Sequence, residues 1–276
     1  MMSSQSELLN QRYGQQKKPN IMMNSTIELL LKHKSTRHFL DQPLGHDEIH
    51  TLVAAAQSAS TSSNLHQWSI VVVTDPELKS QIFDLSSGQE KSYNQYIKQA
   101  PAILLWIADL SRNHQIVKEK NQDVIVHDYL DSFVMATIDA TLAAQNAVIA
   151  AESLGLGICY IGAVRNRAKE LATLINLPQH SYITFGLVVG HPDLEQAAVV
   201  RPRPTQDVVL HYNVYDQEKG LAHLKDYEPA FQDFRKKGNL LEKTWEDSVI
   251  SSTQFSYLDG RENLRETVES YGFKLK

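Results

Sequence analysis

YLDSFVMATIDATLAAQNAVIAAESLGLGICYIGA, which spans residues 129–163, is the stretch of sequence that decides the fold. It predicts a long helix over residues 129–154, because residues 136–151 are apolar almost all the way round and require burial on every side. Its many alanines would let another helix approach closely, so this helix is expected to be the hub of the core or a subunit interface. Gly155 and Gly157 end the helix and lead into a short apolar strand.

Shorter helices and strands are predicted on both sides of this stretch. Apolar residues at helical spacing indicate helices over residues 25–34, 47–58 and 76–86, and Ser25 and Glu28 have capping-box spacing at the start of the first. Continuous apolar runs indicate buried strands over residues 68–73, 102–108 and 182–189.

The two ends of the chain differ in composition from this central part. Residues 1–20 are polar and rich in Gln and Ser, so residues 1–22 are interpreted as a flexible extension before a core of residues 23–204. Residues 205–276 carry short amphipathic helical patterns without a strand-rich core of their own. They are therefore predicted to form an arm that packs on something else.

The overall composition limits the classes of function. A chain of 276 residues with 42% hydrophobic residues can bury a substantial core. A net charge of −5 without a basic stripe argues against nucleic acid as a partner and favours small-molecule chemistry. The longest apolar runs, such as residues 102–108, fall short of the roughly 18 residues that a membrane span needs, so no membrane partner is expected. The single cysteine, Cys159, is expected in a buried strand and suits the reducing cytoplasm.

Two groups of basic residues could together bind an anion. The first follows the first helix and consists of His33, Lys34, Ser35, Thr36 and Arg37. The second is the pair Arg201 and Arg203, whose side chains would face the same way on an extended segment. Two parallel guanidinium groups suit a phosphate. Taken singly, each group is more simply explained as solvated surface charge.

Two further patterns have simpler explanations than ligand binding. Glycines around residues 155–163 would let a flat ring approach the backbone, but their spacing does not fit the dinucleotide-binding fingerprint, and a core strand with turn glycines explains them. His46 and His50 lie one helical turn apart and could ligate zinc. Asp47 stands where the zinc-protease pattern needs glutamate, and no third ligand is near in sequence, so no metal is expected.

The motifs follow one another in an order that resembles a known family. They are H-K-S-T-R-H-F at 33–39, S-A-S-T-S-S-N-L-H at 58–66, S-G-Q at 87–89, the helix and strand of 143–166, L-P-Q-H at 177–180, F-G-L-V-V-G-H-P at 185–192 and R-P-R at 201–203. This series resembles the nitroreductase superfamily, and within it the NADPH-dependent branch of oxygen-insensitive major nitroreductases and flavin reductase P. The resemblance covers roughly residue 25 to the C-terminus.

The resemblance implies an α+β, nitroreductase-like fold in which helices surround a central mixed or antiparallel sheet. It also implies an intertwined homodimer, with the long helix in the interface and residues 205–276 packed on the partner subunit. Each active site would then lie between subunits.

The resemblance further implies FMN as the cofactor and assigns its contacts residue by residue. Its phosphate would be held by His33, Ser35, Arg201 and Arg203, with Lys34 and Thr36 in the same cluster and Arg37 near the N1/O2 edge of the ring. The ribityl chain and the ring would be bound by Ser60, Thr61, Ser62 and Leu65, and the pyrimidine edge by Gln89. The strand behind the ring would contribute Tyr160, Ile161, Gly162 and Ala163, where the family commonly has glycine at the position of Ala163.

The implied activity is that of an FMN-dependent NAD(P)H oxidoreductase that reduces nitroaromatics, quinones or flavins by a ping-pong mechanism. The flavin N5 would carry the chemistry, so no catalytic side chain is required. NADPH is expected as the donor rather than NADH, because Lys237 stands where the branch usually has an arginine that meets the 2′-phosphate. Leu241 and Glu242 stand where a second basic pair is common, which weakens that preference. An FMN-binding redox carrier or sensor with little turnover is the alternative.

Overall fold

The computed structural model describes residues 5–87, 94–196 and 198–276 of the chain. Its strands are β1 (Trp68–Val73), β2 (Ala102–Asp109), β3 (Gly157–Ile161) and β4 (Ser181–Gly190). Its α-helices are α1 (Gln5–Tyr13), α2 (Ser25–Lys32), α3 (His46–Gln57), α4 (Pro76–Ser86), α5 (Tyr96–Gln99), α6 (Ser111–Glu119), α7 (Leu130–Ser153), α8 (Ala168–Leu174), α9 (Gln206–Val209), α10 (Gln217–Leu224), α11 (Glu228–Lys237), α12 (Trp245–Ser252) and α13 (Leu264–Ser270).

These elements form two compact units. The described part of unit 1 consists of residues 5–35 and 198–257, and its regular elements are helices. The described part of unit 2 consists of residues 36–87, 94–196 and 258–276 and contains the sheet. Unit 1 therefore combines segments from both ends of the chain. The division into extension, core and arm at residues 22 and 204 stays a prediction.

The sheet of unit 2 has four strands in the order β1-β2-β4-β3, and every neighbouring pair is antiparallel. Strand β2 lies inside the sheet and all of its residues are buried, as its uninterrupted apolar sequence predicts. The register between β2 and β4 shifts between Trp106 and Ile107. A helix-flanked antiparallel sheet confirms the predicted α+β fold.

Helix α7 rests on this sheet through small residues. Its buried residues Ala143, Ala144, Ala147, Val148 and Ala151 belong to the same core cluster as residues of β2 and β4. Side chains this small let the helix axis approach the sheet closely. Of the two roles expected for this helix, the structure shows that of a hub of the core.

The opposite side of α7 is open in the single chain, so the expectation of burial on every side is wrong for one subunit. Val134, Ile138 and Leu142 repeat at intervals of four residues and are 42%, 49% and 43% exposed. Apolar periodicity cannot distinguish a face buried within a chain from one available to another chain.

Among the described residues, α7 is also the helix that is long and apolar enough to cross a membrane. Its most apolar 18-residue window has a mean hydropathy of 1.4 and is 39% buried within the chain. The sequence-based search for uninterrupted apolar runs missed it, because polar residues such as Asp139 and Asn146 interrupt the segment. Its contacts with β2 and α3 give it a place in the core of unit 2.

Helix α1 lies where the sequence predicted a flexible extension, so that expectation fails for residues 5–13. Its side chains Leu8 and Leu9 are only 1% and 7% exposed, and Arg12 is 6% exposed. Burial of two leucines offsets part of the entropy cost of ordering this otherwise polar segment.

The other predicted elements agree closely with the structure. Strand β1 and helix α4 have the predicted bounds, and the remaining predicted helices and strands differ by one or two residues at their ends. At the start of α2, however, the cap is Asn24 rather than Ser25, because the Asn24 side chain accepts from the N–H of Ile27 at 2.9 Å.

Candidate functional site

The arginine strip, residues 201–203, lies in unit 1 with both arginine side chains exposed and Pro202 buried. This alternation is the one predicted for an extended segment. The guanidinium of Arg201 lies over the ring of Phe234, 5.3 Å from its centroid. Nη1 of Arg203 donates to the carbonyl of Pro202 at 3.2 Å. The strip thus presents two guanidinium groups two residues apart.

The backbone of the arginine strip is attached to α1 through Arg12. Nη1 of Arg12 donates to the carbonyl oxygen of Arg201 at 2.7 Å. In the other direction, the N–H of Arg203 donates to the carbonyl oxygen of Arg12 at 2.8 Å. These two bonds fix both ends of the strip to one residue.

Two further side chains hold the remaining carbonyls of the strip. The buried hydroxyl of Tyr227 donates to Pro202 at 3.0 Å, and Nε2 of Gln16 donates to Arg203 at 3.1 Å. Burial raises the pKa of Tyr227, although the charges of Arg203 and Arg201 oppose the rise. The hydroxyl therefore keeps its proton and stays a donor at neutral pH.

The same Arg12 also holds the end of α2. Its Nη2 donates to the carbonyl oxygens of Leu31 at 2.7 Å and His33 at 2.9 Å. One guanidinium therefore joins the arginine strip to the segment that carries His33, Lys34 and Ser35. The sequence predicted that these two basic groups act together, but it did not predict the residue that connects them.

Thr36 and Arg37, the last two residues of the predicted basic group, belong to unit 2. The N–H of Thr36 donates to the carbonyl of Ile158 at 2.7 Å. A Cβ placed on Gly157 would lie only 2.6 Å from Cγ2 of Thr36. This glycine is therefore needed for close packing of Thr36 against β3, and the buried Thr36 side chain has a packing role.

Arg37 is exposed and lies over Tyr96, 5.7 Å from the ring centroid. Burial raises the pKa of Tyr96 to about 12, with a further rise from Cys159 and an opposing effect of Arg37. Cys159 is 2% exposed, which confirms that it is a buried strand residue.

The loop of residues 60–66 is shaped by a buried carboxylate. Its backbone has positive φ at Ser63, Asn64 and His66. Oδ1 of Asp139 accepts from the N–H of Ser62 at 2.8 Å, and Oδ2 accepts from the N–H of Gln67 at 3.2 Å. The loop places Ser60 and Leu65 in exposed positions and leaves Thr61 and Ser62 half-buried.

Asp139 was missed by the sequence analysis, although a signal was present. It is the only charged residue between positions 132 and 151, in an otherwise apolar helix. A charge in such a position is rarely buried without partners. Here the partners are backbone N–H groups of the loop.

The residues at the end of β3 alternate in exposure. Tyr160 is 37% exposed and its ring packs edge-on against Phe185, whereas Ile161 is 2% exposed and belongs to the core. Gly162 and Ala163 are half-buried in the turn that follows. A ligand at this edge could meet the Tyr160 side chain, while Ile161 could offer it only backbone.

Lys237 ends α11 in unit 1. Its Nζ lies 2.6 Å from a carboxylate oxygen of Asp233, and both side chains are more than half exposed. Lys237 and Lys34 both line a cleft of about 340 Å³ in the same unit. Lys237, which is predicted to bind the 2′-phosphate of NADPH, therefore already forms an ion pair within its own helix.

Two predictions lie beyond what the structure tests. Gln89 lies outside the described residues. His46 and His50 lie one turn apart at the start of α3, with ring centroids 4.3 Å apart and ring planes tilted by 32°. The described ranges contain no group of three or more His, Cys, Asp or Glu side chains that could hold a metal ion.

The fold is that of an α+β protein in which Arg12 connects two basic segments, residues 33–35 and 201–203. Residues 30–191 match the model of the nitroreductase family, and residues 201–276 match that of the nitroreductase family C-terminal domain. The first range alone covers more than half of the chain. The chain therefore belongs to the nitroreductase family.

Individual relatives agree with this assignment. FMN reductase (NADPH) of Bacillus subtilis (strain 168) is 38% identical over 256 residues, which cover 91% of this chain and 99% of that protein. The structure of a nitroreductase from B. subtilis has a TM-score of 0.81 and 36% identity, covering 91% of this chain and 99% of the other. The NADPH:FMN oxidoreductase from Vibrio harveyi, complexed with NAD+, has a TM-score of 0.78 and 30% identity, covering 92% and 100%.

Proposed function

We propose that this chain binds FMN through the predicted residues and passes electrons from NADPH to small organic acceptors. The chain is an FMN-dependent oxidoreductase with a nicotinamide donor. The observation that carries the site assignment is the guanidinium of Arg12, which binds the carbonyls of both His33 and Arg201. It joins the two segments that the sequence assigned to the phosphate.

The donor set of unit 1 fits the dianionic phosphate of FMN. Arg201 and Arg203 offer planar guanidinium groups that can each give paired hydrogen bonds to phosphate oxygens. His33, Lys34 and Ser35 add ring, ammonium and hydroxyl donors from a segment bonded to the same Arg12. Because their backbone is already fixed, these groups lose little freedom when the phosphate binds.

The contacts to the ribityl chain and the ring are assigned from the family resemblance. They comprise Thr36, Arg37, Ser60, Thr61, Ser62, Leu65, Gln89, Tyr160, Ile161, Gly162 and Ala163. When bound, FMN supplies a redox-active ring that exchanges a hydride with the nicotinamide and electrons with the acceptor. Arg37 would stabilise negative charge on a bound ring, and the loop fixed by Asp139 would help to orient it.

The acceptors proposed are nitroaromatics, quinones and flavins, reduced by a ping-pong mechanism. In such a mechanism the flavin would carry the redox chemistry with donor and acceptor in turn, so the protein would need no catalytic acid or base. The relatives are named as reductases and oxidoreductases, which favours turnover over the alternative of a carrier or sensor.

We further propose a homodimer built on the exposed stripe of Val134, Ile138 and Leu142, with residues 205–257 of the predicted arm packed on the partner subunit. The end of that arm, residues 258–276, belongs to unit 2 of its own chain, where Val268 and Phe273 are in the core. A row of exposed apolar side chains on a long helix is a typical subunit contact. A cytoplasmic location is proposed with it, because the single cysteine is a buried thiol.

The chromophore of the purified protein tests the proposal directly. The protein is expected to be yellow and to release FMN on heating, identified by its mass. It should oxidise NADPH steadily in the presence of a quinone. A colourless protein that does not bind added FMN would overturn the proposal, and bound FMN without turnover would favour the carrier.

A further inference from the structure

Helix α1 carries a residue that the family motifs do not include. It precedes both matched ranges, which begin at residues 30 and 201. Its Arg12 is 6% exposed and donates to the carbonyls of Leu31, His33 and Arg201 at 2.7 to 2.9 Å. Burying a guanidinium is costly unless its donors find acceptors, so these bonds define where Arg12 can lie.

The position of α1 is itself fixed within unit 1. Leu8 and Leu9 are buried on one side of the helix. At its end, a Cβ placed on Gly14 would lie only 2.9 Å from Cβ of Ala230 in α11. Gly14 also has a φ of +60°, which favours glycine. Arg12 therefore extends from a packed helix.

The bonds of Arg12 set the direction of peptide groups beneath the proposed phosphate ligands. The carbonyl of His33 points towards Arg12, so in a planar trans peptide the N–H of Lys34 points the opposite way. The carbonyl of Arg201 is held in the same manner, and the N–H of Arg203 is held by the carbonyl of Arg12. Arg12 thereby fixes the backbone from which His33, Arg201 and Arg203 extend.

We propose that Arg12 is a positioning residue for the FMN phosphate. It holds the end of α2 and the arginine strip in the arrangement that the phosphate needs, and so raises the affinity for FMN without touching it. Fixing ligand-binding groups in advance strengthens binding because less freedom is lost on association. This inference rests on the proposed FMN function of the arginine strip.

The test is a set of FMN dissociation constants, measured by flavin fluorescence on apoprotein prepared from the full chain. Arg12→Gln is expected to bind FMN about tenfold more weakly, and Arg12→Lys about threefold, since an ammonium cannot bridge three separated carbonyls. Lys17→Gln is the matched control, because it removes a nearby cation whose Nζ pairs with Asp207 at 3.0 Å. It should bind FMN as the wild type does.

A double-mutant cycle separates positioning from general stability. If Arg12 acts through Arg203, the loss caused by Arg12→Gln should shrink to less than threefold in the Arg203→Ala background. Fully additive losses, or wild-type affinity in Arg12→Lys and Arg12→Gln, would overturn the proposal. Wild-type affinity in Arg203→Ala would instead remove the arginine strip from the FMN site. If Arg12→Gln does not fold, Arg12→Lys gives the same decision.

Discussion

Oδ1 of Asp139 accepts a 2.8 Å hydrogen bond from the backbone N–H of Ser62, across 77 positions of sequence. Its second oxygen accepts from the N–H of Gln67, so a single carboxylate in α7 holds both sides of the loop that carries proposed FMN contacts. Helix α7, which carries the proposed dimer contact, and the proposed cofactor loop are thereby connected by one side chain.

Replacing this carboxylate should destabilise the loop. Asp139→Ala removes the acceptor of one buried and one partly buried N–H group. We expect a loss of about 1–3 kcal/mol in the free energy of unfolding together with weaker FMN binding. Asp139→Asn retains one acceptor and should lose less. Denaturant unfolding and FMN titration measure both effects, and the exposed Asp131→Ala in the same helix is the control. Unchanged stability and affinity in Asp139→Ala would contradict the role.

The two arginines of the arginine strip should differ in their contribution to FMN affinity. Arg203→Ala is expected to weaken FMN binding by about 1.5–3 kcal/mol, the scale of hydrogen bonds to a charged group, while the apoprotein still folds. Arg201→Ala should cost less, because the Arg201 guanidinium already lies over the ring of Phe234. Calorimetric titration of the two apoproteins decides. A larger loss in Arg201→Ala would reverse the assignment.

The preference for NADPH should be real but modest. Nζ of Lys237 forms an ion pair with a carboxylate oxygen of Asp233 at 2.6 Å. Lys237 can therefore attract the 2′-phosphate only in competition with that carboxylate. We expect kcat/KM to favour NADPH over NADH about tenfold, or ~1.4 kcal/mol.

Variants of this ion pair should move the preference in opposite directions. Lys237→Ala should reduce the NADPH preference, whereas Asp233→Asn should increase it by removing the competitor. The exposed contact should also weaken as salt rises. Initial rates with each donor and one quinone, at low and moderate ionic strength, measure these effects. Equal changes in kcat/KM for NADPH and NADH would mean that other residues recognise the 2′-phosphate.

The exposed stripe of α7 should be the dimer contact. Ile138→Glu places a charge where the stripe would be buried, and it should give monomer or aggregate with reduced FMN content. Ile116→Glu in α6 replaces an isoleucine that is 59% exposed and should remain dimeric. Sedimentation velocity distinguishes the species. An unchanged dimer in Ile138→Glu would exclude this stripe as the contact.

The elements that the sequence predicted well are those whose signal is local. Strand β1 is a continuous apolar run, and α4 begins with Asp75 and Pro76, a strong cap followed by a residue suited to the first turn. Local patterns of this kind set the bounds of an element before any tertiary contact forms. The strand order and the open face of α7 could not be predicted in this way, because both depend on which surfaces meet.

The candidate site residues were predicted from sequence motifs, but the hydrogen bonds that connect their segments were not. The basic segments at residues 33–37 and 201–203 are visible in the sequence, but Arg12 lies in a polar stretch whose helical signal is two leucines. Likewise, Asp139 is recognisable only as a lone charge. The backbone acceptors and donors that these two residues bind carry no sequence signal at all.

A cluster of three histidines in unit 2 should make the stability of the protein depend on pH. His114 and His180 stack with ring centroids 3.7 Å apart, and His127 lies 6.0 Å from His114. Burial is the largest cause that lowers the pKa of all three, and Asp128 opposes it at each. Repulsion from His114 lowers the pKa of His127 and His180 further, and Lys118 lowers that of His114 and His180.

The sign of this dependence follows from the lowered pKa values. The unfolded chain, whose histidines titrate near pH ~6.5, binds more protons below that pH than the folded chain does. The stabilising effect is therefore present above about pH 6.5 and is lost as the pH falls through the lower pKa values of the folded state.

His114→Phe keeps a ring in the stack, removes one titrating group and relieves the repulsion on the other two. We expect its melting temperature to fall less between pH 8 and pH 5.5 than that of the wild type, while His50→Phe, at an exposed position in α3, should match the wild type. A wild-type pH dependence in His114→Phe would show that protonation of this cluster does not limit stability in that range.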